Sequence, residues 1–515
     1  MKIIKYSIFF SAALLFATGC DKDFIEVNTN PYAVSEIDPA LLFAGAQRTH
    51  LGTWSAEHTI VQHFVCPYNT GANLGFNFNE DIDLICNPKW DQSYPTTIRN
   101  LVQAMNILGD DTERINLMSM IRIWKAQTFM GVVDEYGDVP YFNAGKAVQL
   151  EYFPAYDDDA AIYEDLYKEI KEALAAFNTS ADYVPEDLFY GKNSLSPAAD
   201  APAQIAKWKK LGNSLLLRLG MRYTKVNPGK AESIVKEAVA GGVMTSNADN
   251  AYVKYGNGAV HADNNNLRNF SQFNYAAEPF VDQLKTTNDP RAQYILATFQ
   301  DPGAVVNDTD PDTELANQFG VPIGKTSIEL GDPNGPYRGA RGAGLNYSQM
   351  NIWIVASPSA PEFYVTYAQT SLLLAEAAAR GWVDGDAQTY YEEGIKADID
   401  TYSFYPQATP IAEEAIDIYL AEPGVAFDEA NALELINTQY WVVNLRNGTE
   451  AYANFRRSGY PVLSPNLFNT KLNGGFARRM SFPDREASAN AESYAGGAAA
   501  IGGDNLLSRV FWDIQ

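Results

Sequence analysis

The sequence predicts a mainly α-helical protein, with tetratricopeptide-like helix pairs in one large domain that carries long loop insertions. Apolar residues recur at the three- and four-residue spacing of a helix face, whereas the two-residue alternation of strands is sparse. Alanine-rich ridges and short connecting turns are typical of helical-hairpin repeats. No fixed period of about 34 residues is visible, so the repeats would be degenerate.

The first three long helices follow from this periodicity. One is predicted to begin at Thr112, among acidic residues that favour a helix N-terminus. Its apolar face carries Leu117, Met120, Ile121, Trp124 and Thr128. Two more are predicted over residues 157–177 and 202–224. The helix over 157–177 opens with a run of acids, which stabilise the positive end of the helix dipole.

A fourth helix is predicted from about Glu362, with a ridge of small and apolar residues along it. The ridge consists of Ala368, Leu372, Ala375 and Ala379. Gly381 is a suitable C-terminal stop, since glycine readily takes the left-handed conformation that ends many helices. The segment 386–402 is predicted to be the antiparallel partner of this helix.

Long, loop-like segments rich in aromatic residues interrupt the helical pattern. They cover residues 66–94, 250–275, 302–351 and 465–515. Loops of this length in a compact domain are usually functional or disordered.

The N-terminus has the features of a bacterial lipoprotein signal. Lys2 and Lys5 precede an apolar run over residues 6–19, which is too short to span a bilayer as a helix of roughly 20 residues. Small residues then lead into Cys20, as at a site where the signal peptide is cut and the cysteine is lipidated. One departure is Ala17, where a leucine is usual.

These features predict how the chain is divided. We expect a signal peptide over residues 1–19, a lipidated tether over 20–40 and a helical ligand-binding domain over 41–515. Because no later segment approaches membrane-spanning length, acyl chains such as palmitate on Cys20 would be the only membrane anchor. The alternative is an ordinary secreted protein with a stray cysteine.

The net charge narrows the class of partner. A charge of −25, from 63 acidic against 38 basic residues, argues against nucleic acid, anionic lipid surfaces and polyanionic glycans. A neutral ligand or a protein partner fits this charge better. Cys66 and Cys86 could pair in an oxidising compartment or stay as thiols, and the sequence leaves both open.

Catalytic motifs are nearly absent from the sequence. His58 and His63 are five residues apart, which does not match the zinc-protease spacing, so we interpret them as polar helix or loop side chains. No Gly-x-Ser-x-Gly elbow of a serine hydrolase occurs. We therefore predict no enzyme, no cofactor and no metal centre, although an acidic loop could hold a structural calcium ion that no motif specifically indicates.

The stretch DEYGDVPY, residues 134–141, is a tempting acidic cluster. Paired carboxylates there could serve a glycosidase or hold calcium. Gly137 and Pro140 instead favour a turn directly after a buried helix. A structural corner is the preferred interpretation.

Aromatic residues next to amides are the main candidates for a ligand site. Flat rings stack on the apolar face of a sugar, and amides bond its hydroxyl groups. The candidates are Tyr68, Asn69, Phe76, Phe78, Trp90, Tyr255, Tyr337, Tyr347 and Trp353. The alternative is that these aromatics fix the loops onto the helical core.

Six stretches taken together resemble one known family. In order they are CDKDFIEVNTNP, FMGVVDEYGDVPYFNA, NDPRAQY, VTYAQTSLLLAEAAARGW, RNGTEAYANFRRSGYP and ARRMSFPDREASAN. Over almost its whole length the chain resembles the SusD/RagB family of outer-membrane nutrient-binding lipoproteins. One small departure is Gln369, where the family commonly has glutamate.

The resemblance implies an all-helical fold on tetratricopeptide-like pairs, with the ligand held by variable loops. It also implies a partner, a TonB-dependent outer-membrane barrel of the SusC type, over which the lipoprotein sits as a lid. Asp21 and Asp23 after Cys20 resemble an export tag to the outer face of the cell. The binding residues of the family lie outside its shared motifs, so none transfers by position.

Three functional hypotheses follow. The first is a non-catalytic surface lipoprotein that binds a neutral oligo- or polysaccharide and delivers it to the SusC-like barrel. The second keeps this lid role with a peptide ligand. The third, a surface glycoside hydrolase, needs a catalytic carboxylate pair that the sequence does not single out.

Overall fold

The described part of the chain is mainly α-helical, which confirms the predicted fold class. The computed structural model describes residues 37–48, 56–67, 81–256, 258–271, 274–338, 346–468 and 472–514. The predicted signal peptide and Cys20 lie outside the described residues. Within those ranges, no helix is both long and apolar enough to cross a membrane.

Turns and loops connect the helices, and the described residues also form three two-stranded sheets. The helices are α1 (Pro39–Gln47), α2 (Ala56–Ile60), α3 (Asp83–Cys86), α4 (Pro88–Gln92), α5 (Arg99–Leu108), α6 (Ile115–Tyr136), α7 (Asp159–Ala176), α8 (Ala201–Arg222), α9 (Pro228–Gly241), α10 (Ala262–Asn269), α11 (Glu278–Thr286), α12 (Ala292–Ile295), α13 (Ser327–Leu330), α14 (Tyr367–Ala379), α15 (Ala387–Thr401), α16 (Glu413–Leu420), α17 (Ala432–Val443), α18 (Gly448–Ser458), α19 (Glu486–Ala489) and α20 (Ala491–Ala500). The strands are β1 (Phe64–Val65), β2 (Ala251–Val253), β3 (Tyr275–Ala276), β4 (Leu296–Ala297), β5 (Gln349–Met350) and β6 (Glu362–Val365).

Three of the four helices predicted from periodicity are present with small shifts at their ends. Helix α6 begins at Ile115, because Thr112–Arg114 form a 3₁₀ turn capped by the Asp111 carboxylate. Helices α7 and α8 match the segments predicted over 157–177 and 202–224. Each starts after an aspartate whose carboxylate accepts a backbone N–H of the first turn.

The helix predicted from Glu362 begins at Tyr367 instead, and this prediction of its start was wrong. Residues Glu362–Val365 form strand β6, which pairs antiparallel with β2. Thr366 then starts α14: its hydroxyl accepts the N–H of Gln369 at 3.2 Å, and the Gln369 side chain accepts the N–H of Thr366 at 3.0 Å. Apolar periodicity missed the boundary because the strand and the helix are both apolar.

Helices α14 and α15 form a tightly packed hairpin. A Cβ atom on Gly394 of α15 would stand 2.8 Å from Cγ of Leu372 and 3.3 Å from the carbonyl oxygen of Ala368. Only glycine therefore fits this crossing. Helix α14 ends at Ala379, and Gly381, with a φ of +72°, makes the turn that the sequence predicts.

The centre of the helical core contains a buried ionic network. Nη2 of Arg222 on α8 donates to Oδ2 of Asp134 on α6 at 3.1 Å and to Oε2 of Glu450 on α18 at 2.6 Å. The indole N–H of Trp512 donates to Oδ1 of Asp134 at 3.0 Å. Burial alone would raise the pKa of Glu450, but Arg222 and Arg218 hold it below its ordinary value.

A second buried pair ties α14 to α18. The guanidinium of Arg457 donates two hydrogen bonds to Glu376, at 2.8 Å to Oε1 and 2.6 Å to Oε2. Arg380 donates to the same carboxylate at 2.8 Å. Burial would raise the pKa of Glu376, but the two arginines lower it to about 2.

The NDPRAQY stretch has a structural role of the same kind. Arg291 is fully buried and donates to Oδ2 of Asp289 at 2.6 Å and to Oδ2 of Asp398 at 2.7 Å. It also donates to the hydroxyl of Tyr419 at 3.0 Å. The motif therefore links the start of α12 to α15 and α16.

The strands join segments that are far apart in sequence. Each sheet is an antiparallel pair, β1 with β3, β2 with β6, and β4 with β5. Val65 lies opposite Tyr275, and Leu296 lies opposite Met350. These pairings hold the long loops against the helical core.

The two alternatives for Cys66 and Cys86 are resolved against a disulfide between them. Cys86 is a buried free thiol, so no disulfide joins it to Cys66. Its Sγ donates to Oδ1 of Asp81 at 3.5 Å. Burial raises the pKa of Cys86, and the negative charge of Asp81 raises it further, so the thiol stays protonated.

We expect Glu376→Gln to destabilise the protein by about 3–5 kcal/mol at pH 7, because Arg457 would be left buried without its counter-charge. Folding lowers the pKa of Glu376 from its ordinary 4.5 to about 2. The ionised carboxylate therefore stabilises the native state above pH 4.5, and this contribution is lost as the pH falls toward 2. Urea unfolding of both proteins between pH 7 and pH 2.5 (roughly the range where the carboxylate titrates) measures it.

The stability difference between the parent and Glu376→Gln should shrink as the pH falls through this range. The exposed Glu414→Gln is the control and should track the parent at every pH. A difference that stays constant from neutral to acidic pH would contradict the ion-pair interpretation.

Candidate ligand-binding site

The structure places the predicted ligand-binding residues in different environments. Tyr68, Asn69, Phe76 and Phe78 lie outside the described residues. The remaining predicted residues are Trp90, Tyr255, Tyr337, Tyr347 and Trp353. They differ mainly in whether a ring face remains open.

Trp90 is a core residue, with only 4 % of its surface exposed. Its ring centroid lies 4.6 Å from that of Tyr94 and 5.3 Å from that of Tyr136. Its backbone N–H donates to the Tyr136 hydroxyl at 3.2 Å. A stacking role needs an open ring face, so it does not fit Trp90, which instead fixes α4 to the end of α6.

Tyr255 is also buried and has a structural partner. Its hydroxyl donates to Oε2 of Glu362 at 2.8 Å, and its ring packs against His261. Burial raises the pKa of Tyr255, and the charge of Glu362 raises it further, so the phenol keeps its proton. A sugar-stacking role does not fit this position either.

Tyr347 and Tyr337 lie together beside the β1–β3 pair. Tyr347 is buried in a small apolar cluster with Val65 and Tyr275, and its hydroxyl accepts the backbone N–H of Arg338 at 3.1 Å. Tyr337 packs on this cluster but stays half-exposed. Tyr347 thus supports the site from below, whereas Tyr337 presents part of its ring to solvent.

Two cationic side chains lie over aromatic rings in this region, Lys325 over Tyr337 and Arg338 over Phe319, which the sequence analysis did not anticipate. Nζ of Lys325 lies 5.8 Å from the centroid of the Tyr337 ring. The guanidinium carbon of Arg338 lies 3.4 Å from the ring centroid of Phe319. We call the surface formed by Phe319, Lys325, Tyr337 and Arg338 the Tyr337 face. Its aromatic and donor groups can stack on a ring and hydrogen-bond hydroxyl groups.

Several predicted loops meet at the Tyr337 face. The carbonyl of Pro67, which precedes residues 68–80, accepts the N–H of Ser327 at 3.2 Å. The carbonyl of Ser348 accepts the N–H of Ala276 at 2.9 Å. These bonds bring parts of three predicted loop segments, 66–94, 250–275 and 302–351, into one region.

Trp353 lies further along the same segment as Tyr347 and is half-buried. Its indole N–H donates to the carbonyl of Asp308 at 2.8 Å. The guanidinium carbon of Arg268 lies 5.0 Å from a centroid of its ring. Phe270, two residues after Arg268, is 55 % exposed and adds an aromatic side chain that the sequence analysis did not single out, although it lies in the loop segment 250–275.

The acids of the DEYGDVPY stretch point in separate directions. Asp134 faces Arg222, and Oε1 of Glu135 accepts the hydroxyl of Thr449 at 2.5 Å. Asp138 accepts the N–H of Asp159 at 2.9 Å. Each carboxylate is therefore tied to a different part of the core, which agrees with a structural corner.

One acidic group near this corner has ligand atoms close enough for a metal ion. Oxygen atoms of Asp138, Asp158 and Asp159 lie within 4.8 Å of one another. All three carboxylates already accept a backbone N–H group: Asp138 from Asp159 at 2.9 Å, Asp158 from Ala161 at 2.8 Å, and Asp159 from Phe511 at 2.8 Å. Burial raises the pKa of Asp159 to about 7. These hydrogen bonds give the three aspartates a structural role in the corner between α6 and α7.

His58 lies on α2 and His63 in the bend that follows it, and both side chains are buried. Their Nδ1 atoms are 2.8 Å apart, and Nε2 of His63 lies 3.1 Å from the carbonyl oxygen of Trp441. Burial lowers the pKa of His63, and the neighbouring His58 lowers it further. The ring of His63 stacks on that of Trp441, which gives it a packing role.

Solved structures with similar folds cover nearly the whole chain. A chitin-binding protein has a TM-score of 0.77 and 27 % sequence identity, over 93 % of this chain and 100 % of that chain. A SusD-like protein from Bacteroidetes AC2a has a TM-score of 0.78 and 24 % identity, over 93 % and 100 %. A chitin-binding SusD homolog from Flavobacterium johnsoniae has a TM-score of 0.73 and 20 % identity, over 93 % and 99 %.

Sequence comparisons identify the family of the chain. No curated protein shows a significant sequence match. Residues 31–483 match the SusD-like family, described as starch-binding and associating with the outer membrane. Because this match spans most of the sequence, and the helical architecture agrees with it, the chain belongs to the SusD-like family.

Proposed function

We propose that the protein is a non-catalytic cell-surface lipoprotein that binds a glycan and delivers it to a TonB-dependent barrel of the SusC type. The observation that carries this proposal is the family match, whose description is starch-binding in association with the outer membrane. Two structures of similar fold are named as chitin-binding proteins. A neutral oligo- or polysaccharide fits best, because a net charge of −25 would repel a polyanion.

The glycan would bind at the Tyr337 face and extend toward Trp353. A half-exposed tyrosine ring can stack on the apolar face of a sugar, and the nearby Lys325 and Arg338 can donate hydrogen bonds to hydroxyl groups. Tyr68, Asn69, Phe76 and Phe78 are proposed to complete the site. Support for this comes from Pro67, which precedes them and is bonded to Ser327 beside the face.

The hydrogen bonds and ion pairs of the DEYGDVPY acids support a binding role without hydrolysis. A glycosidase needs two carboxyl groups that flank one bond of the substrate. Asp134 is instead buried and paired with Arg222, and Asp138 is bonded to the backbone of α7. A corner of this kind supports the fold rather than a reaction.

The anchor and the partner follow from the N-terminus and the family. Lipid on Cys20 would hold the protein at the outer membrane, with residues 20–40 as the tether. Asp21 and Asp23 would direct it to the exterior face. A lid above a SusC-like barrel would then hand the glycan to the transporter.

Tyr337→Ala and Trp353→Ala should each weaken glycan binding by roughly 30-fold, about 2 kcal/mol, as expected of an aromatic that dominates a binding site. The measurement is native gel electrophoresis with a polysaccharide panel that includes starch and soluble chitin oligosaccharides. Calorimetric titration of whichever glycan retards the protein then gives the affinity.

The controls separate binding from folding. Tyr152→Ala removes a tyrosine that is 60 % exposed on another loop, and it should leave affinity unchanged. Trp90→Ala should instead destabilise the fold by about 3–5 kcal/mol, since it empties a core position. Parent-like affinity in both Tyr337→Ala and Trp353→Ala would remove this site from the proposal, and binding of a peptide mixture without any glycan would favour the peptide ligand.

Cys20→Ser should abolish incorporation of labelled palmitate and move the protein from the membrane to the soluble fraction. Cys86→Ser is the matched control, because this thiol is buried in the core and should not be lipidated. Retained labelling in Cys20→Ser would contradict lipidation at this residue.

A further inference from the structure

Two glutamates are buried side by side where α2 meets the end of α6. Glu57 on α2 is 4 % exposed, and Glu135 on the last turn of α6 is 1 % exposed. Burial raises the pKa of Glu135 well above its ordinary value, and the charge of Glu57 raises it further. The two carboxyl groups also lie within hydrogen-bonding reach of each other. Two such groups repel when both are ionised.

A small cavity lies between these carboxyl groups and helix α4. Its walls include Glu57, Glu135, Gln92 and Lys89, with Ile85 on the apolar side. The volume is about 10 Å³, which is room for one water-sized occupant.

The polar atoms buried here are oxygens that lack a donor. Among the residues that the structure describes, no hydrogen-bond donor reaches Oε2 of Glu57, Oε2 of Glu135 or Oε1 of Gln92. The other oxygen of Glu135 is already satisfied by Thr449. Buried acceptors without donors are costly, so these oxygens favour an occupant that offers hydrogen-bond donors or positive charge.

Two other buried carboxylates of the helical core are each paired with an arginine. Asp134 meets Arg222 at 3.1 Å, and Glu376 meets Arg457 at 2.6 Å. Lys89 lines the same cavity, and its charge lowers the pKa of Glu135. Within the described ranges, however, Lys89 forms no ion pair with either glutamate.

We propose that Glu57, Glu135 and the amide oxygen of Gln92 bind one hard divalent cation, Ca²⁺ in the first instance. Carboxylate and amide oxygens are the ligands that Ca²⁺ prefers, and two carboxylates match its charge. The C-terminal end of α6 adds the negative pole of the helix dipole. The ion would tie α2 and α4 to the acidic corner and so brace the start of the domain.

Calcium titration of the purified, chelator-treated full chain tests the proposal. We expect one bound ion per chain by calorimetry and a rise of several degrees in the thermal unfolding midpoint. Glu57→Gln and Glu135→Gln should each weaken calcium binding at least tenfold. Without calcium, both variants should unfold at or above the parent temperature, because each removes repulsion between two buried carboxylates. Their folding is therefore not at risk.

Asp158→Asn is the matched control, because it alters the other acidic group while asparagine still caps α7. It should bind calcium as the parent does. Calcium binding lost in Asp158→Asn but kept in both glutamate variants would overturn the proposal. A second result would also overturn it: calcium does not stabilise the parent, and Glu57→Gln is more stable than the parent. In that case Glu57 and Glu135 would share a proton and bind no ion.

Discussion

The buried guanidinium of Arg222 is the interaction on which the arrangement of the core depends. It joins α8 to Asp134 on α6 and to Glu450 on α18, and Trp512 near the C-terminus donates to the same aspartate. An arginine at this depth is tolerated only when its charge is matched, and removing one partner of such a pair typically costs about 3–5 kcal/mol. Helices from the beginning, the middle and the end of the chain are thereby held in one orientation.

The same principle explains what the shared sequence motifs do. Arg291 in NDPRAQY pairs with Asp398 of α15, and Arg457 of α18 pairs with Glu376 in the alanine-rich helix, so both motifs supply buried ion pairs that join separate elements. Gln369, the departure from the usual glutamate, accepts a hydrogen bond from Arg218 at 2.7 Å and donates one to Asn444 at 2.7 Å. An amide can do both, whereas a carboxylate could only accept. The motifs form the helical frame, and the proposed glycan site lies in the loops between them.

The glutamate pair at Glu57 and Glu135 differs from these arginine-matched pairs. Both lie at the edge of the frame, where α2 meets the acidic corner. Asp134, Glu450 and Glu376 are neutralised by fixed arginine side chains, whereas Glu57 and Glu135 face a cavity in which a bound ion would alter the stability of the fold. Such a brace would join α2, near the start of the helical domain, to the end of α6.

Local patterns in the sequence were sufficient to predict the long helices, the end of α14 at Gly381 and the turn after α6. Each of these features depends on residues that are only a few positions apart. They also indicated the family. Exposure could not be read in this way: Trp90 and Tyr255 have the same amide-rich surroundings as Tyr337 but are buried by residues distant in sequence. Strand β6, the meeting of the loops at the Tyr337 face and the contact between Glu57 and Glu135 likewise arise only on folding. Each is a non-local pairing, and side-chain burial is set by the partners that folding brings together.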